Sequence, residues 1–176
     1  SKGDKLPLIG INQIMVRGGT GIFIYMQDHD NIFSNTTTAL DNLGLNIVDA
    51  RLITSTHGYT LDTFIVLEES GEAVNSRSRI KEIKDLLSSV LTSLDKPVKK
   101  ISRIDSRKLR NFPIPTQIHF SQDESNSRTI MEVISTDRIG FLSRIGSAME
   151  VCGASLQGAK IATYGEKAED IFFITD

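Results

Sequence analysis

Two stretches of this chain repeat one pattern, and nothing else in the sequence constrains its fold as strongly. "DHDNIFSNTTTALDNLGLNIVDARLIT" (28–54) lies over "DRIGFLSRIGSAMEVCGASLQGAKIAT" (137–163) without a gap, each position 109 residues from its counterpart. Asp28 meets Asp137, Ser34 meets Ser143, Ala39 meets Ala148, Gly44 meets Gly153, Ala50 meets Ala159 and Thr54 meets Thr163. One deletion at the next turn then brings "LDTFIVL" over "EDIFFIT", with Asp62 above Asp170. A chain built this way folds as two copies of one supersecondary unit.

Each copy reads alike. A strand (22–27; 129–135) runs into an acidic loop, and a helix follows. Its apolar positions are Phe33, Leu40 and Leu43 in the first copy, and Leu142, Ile145, Met149 and Cys152 in the second. Gly44 and Gly153 stand where a left-handed glycine ends a helix. Two strands come next, joined through the turn-rich "STHGY" and "YGEKA". The first copy continues into a second helix, with Ile80, Ile83, Leu86, Leu87, Val90, Leu91 and Leu94 on one stripe and Pro97 beyond it.

The order strand–helix–strand–strand–helix predicts an α+β fold, antiparallel sheets with helices on one face. A ferredoxin-like βαββαβ unit needs a fourth strand. "INQIMV" and "TQIHF" are candidates, each able to fold back as a hairpin onto its own repeat, and "TQIHF" equally able to close the first repeat. The boundaries that follow are a first repeat over 1–96, a basic linker over 97–115 and a second repeat over 116–176. The second copy has no last helix. That, with a start at Ser1 rather than Met, is expected of a segment from a longer chain.

Composition removes several functions. A net charge of −2 gives no general pull toward nucleic acid or an anionic membrane, and aromatic residues are only 6% of the chain. The apolar runs are far too short to span a bilayer. The lone Cys152 excludes an internal disulfide framework, suits a reducing cytoplasm, and falls on the apolar side of its helix as a buried thiol. His29, His57 and His119 are scattered, without metal-ligand spacing. "GGTG" (18–21) lacks the Lys and Ser/Thr of a phosphate loop and reads as a hairpin turn. "KPVKKISRIDSRKLR" (96–110) is the one charge block, most simply a solvated linker, alternatively a docking strip for an acidic surface. With no catalytic constellation and no cofactor motif, the segment reads as a binding module.

The loop "DRIGFL" reads either as a plain capped helix start, the commoner role of a single Asp-x-x-Gly, or as a binding loop. Asp137 is placed to cap the following helix. Gly140 lets a ligand approach the backbone, and the first helical N–H groups favour a carboxylate. The Asp side chain suits an ammonium, so an amino acid is the natural guest. "DRIGFL" resembles the Asp-Arg-Pro-Gly-Leu-Leu loop of the ACT domain, a regulatory amino-acid-binding fold of βαββαβ type. "GGTGIFIYMQD", "DARLITSTHGYTLDTFIVL", "PIPTQIHF" and "SLQGAKIATYGEKAEDIFFITD" further resemble the C-terminal tandem ACT region of the bifunctional PII uridylyltransferase/uridylyl-removing family.

That resemblance implies a glutamine-sensing regulatory module whose catalysis lies in other domains of a parent chain acting on the PII signal protein. L-Glutamine is the expected effector, and self-association through the sheets is expected. The implied ligand residues are Asp137, Arg138, Ile139, Gly140, Phe141, Leu142, Ser155 and Gln157. A weaker second site comprises Asp28, Asn31, Ile32 and Phe33. Ile139 replaces the family's loop proline, Gly158 stands where relatives often carry Asn, and Asn31 takes the glycine position in the first copy. The alternatives are an ACT pair regulating another amino-acid-linked enzyme, or a structural dimerisation module without ligand.

Overall fold

A computed structural model describes residues 7–16, 18–101, 114–138 and 140–176. The first half runs β1 (Leu8–Val16), β2 (Gly19–Gln27), α1 (Ile32–Asn42), β3 (Asn46–Thr54), β4 (Tyr59–Leu67) and α2 (Arg77–Leu91). The second runs β5 (Gln117–Asp123), β6 (Arg128–Thr136), α3 (Phe141–Cys152), β7 (Ser155–Tyr164) and β8 (Lys167–Thr175). All eight strands form one antiparallel sheet in the order β1-β2-β4-β3-β7-β8-β6-β5, which reads the same from either edge once the repeat is applied. The repeat is therefore structural as well as sequential.

The strand order departs from βαββαβ. β1 pairs with β2 and β5 with β6, so in each half the fourth strand precedes the loop and helix instead of closing the unit. "TQIHF" thus belongs to the second half. A hairpin forms between sequence neighbours at lower loop-closure cost than a return from beyond α2. "GGTG" opens β2 directly after the β1–β2 turn, and the two turn-rich stretches join β3 to β4 and β7 to β8.

The halves meet edge to edge. Asp49–Ile53 of β3 pair with Gly158–Ala162 of β7, which removes what would otherwise be an unpaired inner edge in each half. Gly158 suits that seam, because a Cβ there would stand 3.0 Å from the Leu52 carbonyl oxygen, a tight contact that the strands would have to ease apart to admit. Above the seam α1 crosses α3. A Cβ on Gly146 would come within 2.9 Å of Ser34 Cα, so glycine sets how closely the two helices approach.

Alternate strand residues face the helices. Ile22, Ile24, Leu52, Phe64, Val66, Ala159, Ile161 and Phe172 form the sheet side of the core, closed by Phe33, Leu40, Ile83, Leu87 and Leu91. Phe33 meets Phe172 edge to face across the junction of the halves. α1 is enclosed by the sheet, α2 and α3, and buries Ile32 through Leu40, including three consecutive threonines. Ser76 caps α2, its hydroxyl accepting the Arg79 N–H at 3.1 Å.

Among the described residues α2 has no counterpart in the second half. Ile9 and Ile11, which α2 helps to cover, correspond to Ile118 and Phe120, and these are 55% and 58% exposed. Cys152, expected to be buried, is exposed, whereas its counterpart Leu43 is partly buried against the core. The start of the basic strip is not free in solution. The Asn42 side chain donates to the Lys99 carbonyl and accepts the Ile101 N–H, both at 2.9 Å, and so pins the strip along α1. Residues 102–110 of that strip lie outside the described residues.

Candidate functional site

The two acidic loops are anchored in the same way. The Asp28 N–H donates to the Gly58 carbonyl and the Asp137 N–H to the Glu166 carbonyl, each at 2.9 Å, so each loop hangs on the hairpin turn of its own half. In each, the first helical N–H then turns back inside the loop, Ile32 to His29 and Phe141 to Arg138. The Phe141 donor, expected to meet a ligand carboxylate, is therefore already engaged.

Helix capping also differs from expectation. α3 begins at Phe141, and its N-cap is Gly140 in the left-handed region (φ 72°), with no side-chain cap bond. Asp137 lies three residues too early to fill that role. Gly140 is held for its backbone angle and its neighbours, since a Cβ there would collide with the Lys100 ammonium. That ammonium donates to Ser143 Oγ at 3.2 Å and lies 3.9 Å from Asp41 Oδ2.

Each loop faces a cleft at the junction of the halves, walled by the start of the third strand of the opposite half. The second loop contributes Asp137, Arg138, Gly140, Phe141 and Leu142, and looks onto Leu45, Asn46 and Ile47. The first contributes Asp28, His29, Asp30, Ile32 and Phe33, and looks onto Ser155, Leu156 and Gln157. Ser155 and Gln157 thus leave the group with which the sequence placed them. The antiparallel β3–β7 seam carries the beginning of each strand to the far half. Ser155 Oγ in fact donates to Asp30 Oδ1 at 3.3 Å. Asn31 turns away, its amide donating to the Leu94 carbonyl in the turn that follows α2. Ile139 lies outside the described residues.

The clefts differ in room. The cavity at the second loop measures about 40 Å³ and that at the first about 170 Å³.

Sequence reasoning missed the acids at the back of these clefts. Asp62 on β4 and Asp170 on β8 are repeat equivalents, 1% and 2% exposed, on the helix-facing side beside Phe64 and Phe172. Burial pushes each carboxyl up to about 7. For Asp62 a hydrogen bond from Thr60 Oγ1 opposes that shift and the charge of Asp28 adds to it. For Asp170 the Ala162 N–H opposes it and the charge of Asp137 adds to it. Asp28 is raised as well, again chiefly by burial. Asp170 Oδ2 is buried and has no hydrogen-bond partner among the described residues. The signal was present: in "YTLDTFIVL" period-two alternation puts Asp62 on the face of Phe64 and Val66, and the repeat does so again at Asp170. Each cleft thus brings two acids to a helix start, one on the loop and one buried behind it.

Among the described residues no three His, Cys, Asp or Glu side chains converge to hold a metal, and no helix is long and apolar enough to cross a membrane. No protein-family model matches the chain. Among curated proteins it is 42% identical over 173 residues to the bifunctional uridylyltransferase/uridylyl-removing enzyme of Methylococcus capsulatus, covering 98% of this chain and 20% of that protein. The enzymes of the same description from Stutzerimonas stutzeri and Pseudomonas syringae pv. tomato are each 43% identical, covering 97% and 98% of this chain and 19% and 20% of their own length. By sequence the chain matches one segment of these enzymes. It spans about a fifth of the length of the uridylyltransferase/uridylyl-removing enzymes it resembles. Among solved structures, the crystal structure of aspartate kinase from Synechocystis aligns with a TM-score of 0.44 at 14% identity, over 90% of this chain and 24% of that one.

Proposed function

We propose that this segment is the ACT-type, glutamine-sensing regulatory module of a bifunctional uridylyltransferase/uridylyl-removing enzyme. It is the C-terminal part of a parent chain that modifies the PII nitrogen-signalling protein in the cytoplasm. The segment performs no catalysis; L-glutamine binding sets the balance between two activities housed in the rest of the chain. The observation that carries this reading is the first-loop cleft, where Asp28 and the buried Asp62 face each other at a helix start under the opposite half of the sheet.

An α-ammonium entering that cleft supplies the missing countercharge to Asp62 and stabilises its ionised form. The α-carboxylate then lies toward the positive end of α1, and the side chain reaches the polar wall of Ser155 and Gln157. Because ligand contacts come from both halves, binding favours one arrangement of the β3–β7 seam and the α1–α3 crossing. That is the differential contact through which a bound amino acid biases distant domains.

Titration calorimetry of this chain against the twenty amino acids tests the reading. The expected result is one selective ligand, glutamine, at one site per chain. Binding near pH 7 is expected to release protons from Asp62, so the apparent enthalpy will depend on the buffer's ionisation heat. Asp62→Asn is expected to weaken binding at least tenfold and Asp170→Asn much less. Binding of no amino acid, or of glutamine equally well by Asp62→Asn, would overturn the proposal.

A further inference from the structure

The face of the sheet turned away from the helices differs in chemistry between the halves. Register places Leu8, Tyr25, Leu61 and Ile53 in one continuous row across β1, β2, β4 and β3, with Phe23 beside it. All five are exposed, Leu8 by 67% and Tyr25 by 45%, and Tyr25 is stacked on Tyr59 with ring centroids 5.4 Å apart. The repeat supplies an internal control. The equivalent positions in the second half are Gln117, Glu132, Ile134, Ala162 and Glu169, with Glu169 ion-paired to Lys167. Both halves solve the same backbone problem with the same uncovered strand face. The fold therefore does not demand apolar residues there, and a contiguous exposed apolar patch marks a contact surface.

We propose that this open face of the first half is the docking surface for the part of the parent chain that lies outside this segment. The length of the relatives selects that occupant over a second copy. The segment is about a fifth of the length of the enzymes it matches, so most of such a chain is available to cover the face. A tethered partner, whose effective concentration is set by the linker, also competes for the patch better than a free copy does. The surface lies opposite the clefts and is independent of whether they take an amino acid.

Site-specific photocross-linking in the full-length parent enzyme tests this. p-Benzoylphenylalanine is placed at Tyr25, with a second probe at Ile53 in case the first disturbs folding, and a control at the exposed Tyr164 on the open face of the second half. The expected result is intrachain cross-links from Tyr25 and Ile53 to peptides outside the segment, and at least fivefold fewer from Tyr164. Combining the Ile53 probe with Leu61→Lys is expected to abolish its cross-links, while this 176-residue chain carrying Leu61→Lys keeps the melting temperature of its parent. Cross-links confined to residues within the segment, cross-links only to the same face of a second copy, or equal yields from Tyr164 would each overturn the proposal.

Discussion

Replacing Asp62 with Asn is expected to stabilise this protein while blinding it to its ligand. In the folded chain Asp62 titrates near 7, against 3.8 for an ordinary aspartate, and burial is the main cause. The sign follows from proton counts. Between pH 3.8 and 7 the folded state holds a proton on Asp62 that the unfolded state has lost, so stability falls as pH rises through that window and is flat above it. A shift of about three units corresponds to up to about 4 kcal/mol lost at pH 8, and roughly 1–2 kcal/mol at pH 5. Asn is neutral throughout, close in shape, and keeps an oxygen to accept the Thr60 hydroxyl. Urea denaturation of both proteins at pH 5 and pH 8, without ligand, measures the difference. The advantage of Asp62→Asn is expected to grow by about 2–3 kcal/mol between the two. An advantage independent of pH, or a loss of stability at pH 8, would falsify the assignment of Asp62 as a buried acid strained by ionisation. The equivalent Asp170→Asn should follow the same trend, since burial shifts it in the same direction.

Gly146→Val should cost about 1–3 kcal/mol in denaturant unfolding, because a Cβ 2.9 Å from Ser34 Cα forces α1 and α3 apart. Ser76→Ala should cost about 1 kcal/mol by removing the bond to the Arg79 N–H, read as a lower urea midpoint with unchanged slope. Gly140→Ala should destabilise by about 1–2 kcal/mol through its left-handed backbone angle, and further by displacing Lys100; combining it with Lys100→Ala should recover the second part only.

The repeat made most of the fold legible. A constant spacing forces equivalent elements, and the glycines at 44 and 153, the turn stretches and the α2 stripe mark where those elements stop and turn. The acidic loops were legible too, because Asp28 and Asp137 sit at matched strand–helix junctions. What lies across from each loop was not. Ser155 and Gln157 follow the second loop closely in sequence, yet they wall the first, because the β3–β7 seam is a long-range pairing that neither strand announces alone. α1 is a further case. "NTTTALDN" is poor helix material, its β-branched residues stiff at χ1, and it is helical because enclosure between the sheet, α2 and α3 outweighs local preference. The capping role expected of Asp137 failed on a local matter: the helix starts three residues later, at a glycine whose backbone angle only the folded loop fixes. Sequence determined the units and their order, since periodicity and turn chemistry act over a few residues. Tertiary structure decided which unit faces which, how much each acid is buried and how much room each cleft keeps, since these depend on contacts between residues more than a hundred positions apart.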